Sequence, residues 1–252
     1  MPYIDNEGIH INYDVVGSGP PLVLQHGFFW SLEGWKRVGY VNALKNSYQL
    51  ILVDARGHGQ SDKPHSSDAY QLERLVVDVT SVLDDLSIDC AHFWGFSMGG
   101  YYAFGMANYA PDRLRSLIVG AAHPYARALP PESRPPGDDP EAFVSAFFRR
   151  LGVDRKDLSQ EELDEFFDND FHALSASLRD RPALDAALSG LNVPCLLYVG
   201  DKDGVFGSVR DCAGSIPNAK LLVLPNINHP EAFYRSQLVL PEVQQFLIGI
   251  ES

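Results

Sequence analysis

The sequence has few cysteines, and they are not arranged to bind a metal or to form a disulfide framework. Cys90, Cys195 and Cys212 are its three cysteines; they are widely spaced and contain no CxxC pair. Disulfide-rich secreted domains and zinc modules place paired cysteines at short, regular spacings. The sequence therefore predicts a protein of a reducing compartment that needs neither a structural metal nor a disulfide.

Positive charge is scarce as well. The chain has 20 lysines and arginines against 33 aspartates and glutamates, which gives a formal net charge of −13. Nucleic acids and anionic membranes are both bound through basic surfaces. We therefore expect neither of them as a partner, although the acidic balance by itself does not define a substrate.

Long apolar runs are also missing. No apolar run approaches the ~20 residues that span a bilayer. Residues 1–7 have neither the basic nor the apolar region of a signal peptide. A cytoplasmic protein is therefore expected. A length of 252 residues suits one large domain, or one domain with an insertion.

The most informative segment is Gly95-Phe96-Ser97-Met98-Gly99. A short apolar run leads into it, and small residues after it predict a helix from Met98 to Asn108. Glycine on both sides of the serine allows backbone segments to approach closely at a tight strand–turn–helix junction. Such a turn exposes the serine hydroxyl beside a helix N-terminus, so Ser97 is a candidate nucleophile.

Strands and helices alternate along most of the chain. Apolar residues at helical spacing predict one helix over 70–86 and a final helix from about 231 to 246. Apolar or alternating runs predict strands at 3–16 (as a strand or a hairpin), 22–25, 50–53, 91–95, 114–119, 195–199 and 221–224. This alternation is typical of a parallel sheet that is covered by helices on both faces.

Residues 124–190 differ from the rest of the chain in composition. A cluster of prolines is followed by helix-like stretches that are rich in phenylalanine and acidic residues. We interpret 124–190 as a helical cap, or lid, over the C-terminal edge of the sheet. Residues 1–123 and 191–252 then form the α/β core.

A nucleophilic serine needs a base to take its proton, and that base needs a third group to orient it. The histidines downstream of Ser97 are His123, His172 and His229. His229 follows the strand at 221–224, at the edge of an open α/β sheet where the chemistry of such proteins gathers. We therefore favour His229 as the base.

The loop after the strand at 195–199 offers two carboxylates as the orienting acid. Asp203 lies deeper in the loop and can turn back towards His229. Asp201 adjoins the strand end, a position typical of a turn-capping side chain. We favour Asp203 as the acid, with Asp201 as the alternative.

Acyl transfer also needs donors for the negative oxygen of its transition state. The backbone N–H of Met98 follows the nucleophile directly and is one candidate. The N–H of Phe28 is the other, since the preceding Gly27 allows a close approach of the backbone after the strand at 22–25. Phe29 and Trp30 are then expected in the substrate pocket, with plain core aromatics as the alternative.

Several segments outside 124–190 carry a combined pattern. They are His26-Gly27-Phe28, the run Asp54-Ala55-Arg56-Gly57-His58-Gly59-Gln60-Ser61-Asp62, Gly95 to Gly100, Gly200-Asp201-Lys202-Asp203 and Asn228-His229. Together they resemble the α/β-hydrolase superfamily. The most similar members are capped small esterases, enol-lactonases, carbon–carbon bond hydrolases and cofactor-free haloperoxidase-type perhydrolases.

The resemblance implies an α/β-hydrolase fold, with a mostly parallel eight-stranded sheet flanked by helices and a helical cap insertion. It implies a triad of Ser97, Asp203 and His229, in that family's chain order of nucleophile, acid and base, with no metal and no cofactor. The run from Asp54 to Asp62 is then a structural turn near Ser97, with His58 as one of its structural residues.

Two positions depart from the family's pattern. Phe96 stands where histidine is frequent, an apolar change that should leave the chemistry intact. Pro230 restricts the backbone directly after His229 and so bears on the geometry of the base.

The pocket is expected to be mainly apolar. Phe143 and Phe147 are candidate lining residues from the cap, and His123 and Arg127 are the polar candidates just past a strand end. The pair Arg149-Arg150 is expected on a solvated helix face. An uncharged or weakly polar ester fits this pocket best.

These observations predict a serine hydrolase, similar to carboxylesterases, that cleaves an ester with a small to medium acyl group through an acyl-enzyme. A lactonase, a carbon–carbon bond hydrolase and a perhydrolase use the same triad and are alternatives. A small-molecule receptor with a hydrolase fold is an alternative of another class. The expected partner is a small-molecule ester or lactone, and a homodimer is compatible with the sequence.

Overall fold

A computed structural model describes residues 2–129, 134–217 and 219–251. Residues 130–133, which carry part of the proline cluster in the predicted cap, lie outside the described residues. The strands are β1 (Tyr3–Asn6), β2 (Ile9–Val16), β3 (Pro21–Gln25), β4 (Gln49–Val53), β5 (Ala91–Phe96), β6 (Leu114–Gly120), β7 (Cys195–Gly200) and β8 (Lys220–Leu224).

The α-helices of the described ranges follow the strands in alternation. They are α1 (Leu32–Arg37), α2 (Tyr40–Leu44), α3 (Leu72–Asp85), α4 (Met98–Tyr109), α5 (Pro140–Leu151), α6 (Gln160–Phe167), α7 (Phe171–Ser177), α8 (Phe206–Ser215), α9 (Glu231–Tyr234) and α10 (Ser236–Glu251). None of these helices is long and apolar enough to cross a membrane.

All eight strands belong to one sheet, in the order β1-β2-β4-β3-β5-β6-β7-β8. The β1–β2 and β2–β4 pairs are antiparallel, whereas every pair from β4 to β8 is parallel. Leu22, Val23 and Leu24 of the central β3 are all buried. A continuous apolar run is the pattern of a parallel strand that is covered on both faces.

The predicted fold class is confirmed, and the pattern over 3–16 takes the hairpin form of the prediction, with β1 paired to β2. Two details of the secondary structure differ. The final helix is two helices, because the backbone leaves helical geometry at Arg235 (φ −94°, ψ 60°). Helices α1, α2 and α8 were not predicted; α1 and α2 have six and five residues, too few for a helical period to be recognised.

The parallel strands bring distant parts of the sequence to one edge of the sheet. Their carboxyl ends lie side by side, as the register of Gln25 with Gly95 and of Gly95 with Val119 shows. Loops or turns leaving this edge carry Phe28, Ser97, His123, Asp203 and His229. In open α/β sheets this edge is where ligands bind.

The segment between β6 and β7 contains α5, α6 and α7. Its two ends meet, since Arg127 and Arg181 exchange backbone hydrogen bonds of 2.9 and 2.8 Å. Close by, the Leu184 N–H donates to the Pro124 carbonyl at 2.8 Å. The segment therefore leaves and rejoins the core at nearly the same place. Its assignment as a cap with bounds 124–190 stays a prediction.

Candidate active site

Ser97 lies at the sharp turn between β5 and α4. Its φ of 54° and ψ of −106° are rare for a residue other than glycine. A Cβ at Gly95 would lie 1.9 Å from the Gly99 carbonyl oxygen, and one at Gly99 would lie 2.1 Å from the Gln25 oxygen. No side chain fits at such distances. The two glycines therefore permit the turn that presents the Ser97 hydroxyl.

Ser97, His229 and Asp203 form a continuous hydrogen-bonded chain. The His229 Nε2 is 2.8 Å from Ser97 Oγ, and its Nδ1 is 2.7 Å from Asp203 Oδ2. Asp203 and His229 are both buried, while Ser97 is partly exposed. An ionised carboxylate only accepts hydrogen bonds, so Nδ1 carries the proton and Nε2 is free to accept from the serine hydroxyl. This is the tautomer that a general base requires.

The two carboxylates of the loop after β7 have different partners. Asp203 also accepts a hydrogen bond from the Val205 N–H at 3.0 Å. Asp201 instead accepts from the Asn226 N–H at 2.8 Å and so holds the neighbouring turn. The structure thus brings Asp203, and not Asp201, to His229.

The loop that carries His229 is closed by a reciprocal pair of hydrogen bonds. The Asn228 N–H donates to Glu231 Oε2 at 3.0 Å, and the Glu231 N–H donates to Asn228 Oδ1 at 3.1 Å. Pro230 begins the α9 turn with φ −67°, a position that suits proline. The expected restriction by Pro230 therefore coincides with a helix start and leaves His229 within reach of Ser97.

Phe96, at the position that departs from the family pattern, is fully buried beside the base. Its ring centroid lies 5.3 Å from that of His229 and 5.5 Å from that of Trp30. The Phe96 ring packs against the imidazole at an interplanar angle of 50°. His229 keeps its contacts with Ser97 and Asp203 beside this apolar residue.

The two candidate oxyanion donors lie in adjoining segments. The Gly99 N–H donates to the His26 carbonyl at 3.1 Å, which joins the start of α4 to the loop after β3. The Ser97 N–H donates to the Gly120 carbonyl at 2.7 Å. By contrast, no described residue accepts a hydrogen bond from the Met98 N–H or the Phe28 N–H. The two amides are therefore available to a ligand, and their role as oxyanion donors stays a prediction.

His58 holds the Phe28 end of this arrangement. Its Nε2 is 2.5 Å from the Phe28 carbonyl oxygen, and its Nδ1 is 3.1 Å from that of Arg56. Burial, and then the nearby His26, lower the pKa of His58 to about 3. The ring is therefore neutral, and the shorter contact indicates that its N–H points to Phe28. His58 is an anchor of the loop, in keeping with its expected structural role.

Ser97 and His229 face a cavity of about 200 Å³. Phe28, Met98, His123 and Phe147 contribute to its wall, as do Ala121, Ala122, Leu151, Leu178, Gly204 and Val205. The same wall includes three arginines: Arg127, Arg150 and Arg181. Arg150, expected on a solvated helix face, is exposed but also borders the cavity, and Arg181 was not predicted at all, so the cavity is more basic than the sequence indicated.

The predicted aromatic lining is divided between two places. Phe29 and Trp30 line a small apolar crevice of about 10 Å³ that also touches Ser97 and Phe147. Phe143 lines neither this crevice nor the larger cavity. It is fully buried and stacks behind Phe28, with ring centroids 6.3 Å apart. Phe143 therefore supports the wall from behind.

A second cavity, of about 290 Å³, adjoins the first. Tyr70, Tyr101 and Tyr102 are among its lining residues. It shares Phe28, Met98, Arg127, Leu178 and Arg181 with the cavity that holds Ser97. Arg127 and Arg181 thus stand at the boundary between the two spaces.

The described residues contain no group of three or more histidines, cysteines and carboxylates that could hold a metal ion.

Comparison with known proteins agrees with the fold. The family model for the alpha/beta hydrolase fold matches residues 20–161. A Bacillus subtilis protein with the provisional name 2-succinyl-6-hydroxy-2,4-cyclohexadiene-1-carboxylate synthase is 25% identical over 273 residues, which cover 95% of this chain and 96% of that protein.

Two solved structures share the fold over their whole length. The enol-lactonase from Burkholderia xenovorans LB400 has a TM-score of 0.85 at 24% identity, with 98% of this chain and 100% of that one covered. The esterase RhEst1 from Rhodococcus sp. ECU1013 has a TM-score of 0.82 at 25% identity, with 99% and 98% covered. The resemblance inferred from the sequence motifs is thereby confirmed.

Proposed function

Since the chain belongs to the alpha/beta hydrolase fold family, we propose that it is a serine hydrolase of carboxylic esters with a small to medium acyl group. The observation that carries the proposal is the hydrogen-bonded chain from Ser97 through His229 to Asp203, at 2.8 and 2.7 Å, beside a cavity. A serine hydroxyl in this arrangement has both the base that it needs and the group that orients the base.

Acylation begins when His229 Nε2 takes the proton of Ser97 as its Oγ attacks the ester carbon. Asp203 keeps the imidazole in its tautomer and stabilises the imidazolium that forms. The N–H groups of Met98 and Phe28 are the proposed donors to the oxyanion, and loss of one such donor typically costs about 10²–10³ in rate. The carbon–oxygen bond then breaks, and His229 returns the proton to the leaving alcohol.

Deacylation repeats these steps with water. His229 removes a proton from a water molecule, whose oxygen attacks the acyl carbon of the ester on Ser97. The bond to Ser97 Oγ breaks, and His229 gives its proton back to the serine. The products over the two halves are one alcohol and one carboxylic acid, and the enzyme is regenerated.

The helical segment 124–190 is proposed as the cap over this site. Phe147 of α5 stacks on Phe28 with ring centroids 5.4 Å apart. The Asn169 amide donates to the Phe29 carbonyl at 3.1 Å, and Glu165 of α6 accepts from Tyr234 at 3.2 Å. These contacts attach the segment to both the Phe28 loop and α9, and so support its role as a roof of the pocket.

A cytoplasmic location is part of the same proposal. Its support is chemical: Cys90, Cys195 and Cys212 are all free thiols, which is the usual state in a reducing compartment.

The test uses purified protein, a fluorophosphonate probe and p-nitrophenyl butyrate. We expect peptide mass spectrometry to find the probe on Ser97, turnover of the butyrate ester, and loss of both in Ser97→Ala. Full activity of Ser97→Ala would overturn the proposal. Tight ligand binding with no turnover of esters, lactones or diketones would favour a receptor in its place.

A further inference from the structure

Three arginines converge on the cavity from different parts of the chain. Arg127 follows β6, Arg150 lies in the last turn of α5, and Arg181 follows α7. The chain as a whole is strongly acidic, with a formal net charge of −13. A concentration of positive charge beside Ser97 therefore runs against the composition of the protein.

No described carboxylate pairs with these guanidinium groups. The titratable groups that act on Arg127 are Arg181, Arg150 and Tyr101. Those that act on Arg181 are Tyr101, Arg150 and Tyr102. The Arg181 guanidinium lies 4.5 Å from the ring centroid of Tyr101. By contrast, the buried Arg56 pairs with Asp78 at 2.7 Å. The cavity arginines thus lack the carboxylate partner that the structural arginine of the core has.

The backbone itself forces two of these charges together. Arg127 and Arg181 are direct partners in an antiparallel bridge, and like charges at opposed positions repel each other. Burial, and then Arg181 and Arg150, lower the pKa of Arg127 to about 9, and burial lowers that of Arg181 to about 10. Both side chains remain cations at neutral pH, at a cost that an anionic ligand would offset.

Two polar atoms of residues that line this cavity are buried without a hydrogen-bond partner among the described residues. They are the Nε of Arg127 and the Nδ1 of His123. His123 lines the same cavity, and burial together with Arg181 lowers its pKa, which favours the neutral ring. Buried polar atoms are nearly always satisfied in folded proteins. The residues of this wall therefore carry hydrogen-bonding capacity that the described residues leave unused, beside the three positive charges.

We infer that the substrate carries a free carboxylate in addition to the ester group that Ser97 attacks, and that Arg127, Arg181 and Arg150 bind this carboxylate. The inference deepens the proposed function and rests on it. A carboxylate is planar and offers two oxygens to the fork of a guanidinium. A substrate with a free carboxylate thus takes the place of the uncharged or weakly polar ester that the sequence led us to expect.

The position of Arg127 and Arg181 indicates how such a substrate lies. Both line the cavity with Ser97 and also the second, 290 Å³ cavity. The ester group occupies the first cavity at Ser97, and the carboxylate reaches the boundary between the two. Half-esters of short dicarboxylic acids have this combination of groups.

The experiment compares ester pairs that differ in one charge. The monoethyl esters of succinic, glutaric and adipic acid are each measured against the corresponding ethyl ester amide, by pH-stat. Butyryl esters of glycolate and 3-hydroxypropanoate, against their amides, place the carboxylate in the alcohol part. We expect kcat/KM to favour the acid over the amide at least tenfold in one or more pairs.

Substitution assigns this preference to the arginines. In Arg127→Gln and Arg181→Gln, we expect the ratio of kcat/KM for acid over amide to fall about 10- to 100-fold, the range for charge-assisted hydrogen bonds. The matched control is Arg149→Gln, which removes the same charge from an exposed neighbouring position of α5. It should leave the ratio unchanged. A ratio of one or less throughout the wild-type panel would overturn the inference.

A binding measurement covers the case in which a variant fails to fold. Adipate should raise the melting temperature of the wild-type protein by several degrees, whereas adipamide should not. Equal shifts for the two compounds would count against the carboxylate site. Fluorophosphonate labelling of Ser97 and turnover of p-nitrophenyl butyrate report on the proposed function separately, since neither probe carries a carboxylate.

Discussion

On one side of the cavity, the polar side chains of Ser97, His229 and Asp203 are joined in a single hydrogen-bonded chain. In another part of the same wall, Arg127 and Arg181 are joined by a backbone bridge and have no carboxylate partner among the described residues. The first side is complete without any ligand. On the second side, the positive charges of Arg127 and Arg181 are compensated only when an anion binds.

The difference separates two uses of buried polar groups. Catalytic groups act fastest when they are already oriented, since no reorganisation is then needed in the transition state. Binding groups can remain unsatisfied in the free protein and recover that cost when the ligand arrives. The proposed chemistry and the proposed specificity therefore depend on separate sets of residues, and they should be separable by mutation.

The largest expected effect comes from removing the nucleophile. In Ser97→Ala, kcat/KM for p-nitrophenyl butyrate should fall by about 10⁴–10⁶, as in other enzymes of this mechanism. The arginine side is untouched, so adipate should still raise the melting temperature as it does in the wild-type protein. Loss of the adipate shift together with activity would show that the two sides are not independent.

A smaller loss is expected when the acid is neutralised. Asp203→Asn removes the charge that keeps Nδ1–H of His229 in place, and kcat should fall by about 10³–10⁴. Asp201→Asn is the matched control in the same loop, because Asp201 bonds to the Asn226 amide. Steady-state kinetics should show kcat within threefold of wild type for the control. A reversal of the two results would assign the acid to Asp201.

The pH dependence of stability tests the anchor of the Phe28 loop. The pKa of His58 is about 3 in the folded protein, against 6.5 when unfolded. Between these values the unfolded chain binds more protons, so stability is lost as the pH falls from 6.5 towards 3. At pH 4.5 this loss amounts to about 2–3 kcal/mol for His58. Urea unfolding of His58→Gln should show a shallower decline between pH 7 and 4.5, whereas an unchanged slope would refute the assignment.

The smallest expected effect has the opposite sign. Arg181→Met removes a half-buried cation that has no carboxylate partner among the described residues, while keeping most of the side-chain volume, so the free protein should become more stable by about 1 kcal/mol. His229→Ala, which breaks a satisfied pair, should lower stability. Differential scanning calorimetry of the two variants measures the contrast between the sides directly. Destabilisation by Arg181→Met would mean that Arg181 is already satisfied in the free protein.

Sequence reasoning succeeded where short segments determine the outcome. The apolar strands, the glycines beside Ser97 and the placement of Asp203 and His229 after strands all depend on local patterns, and the fold class follows from their order. It missed Arg181 as a lining residue and did not show that the exposed Arg150 also borders the cavity, since both positions depend on how the segment between β6 and β7 folds against the core. The sequence of a helix shows which of its faces is apolar. It does not show which residues of other elements will contact an arginine in its last turn.

The backbone bridge between Arg127 and Arg181 has a consequence for how this protein could diversify. Because the segment that we propose as the cap begins and ends at one place, it can be exchanged as a unit with little change to the strands that flank it, as insertions with adjacent ends generally can. Arg127, Arg150 and Arg181 all lie within 124–190 and would be transferred together with it. A transplant of 124–190 into a related scaffold would therefore transfer a preference for acidic substrates while the recipient kept its own nucleophile, acid and base.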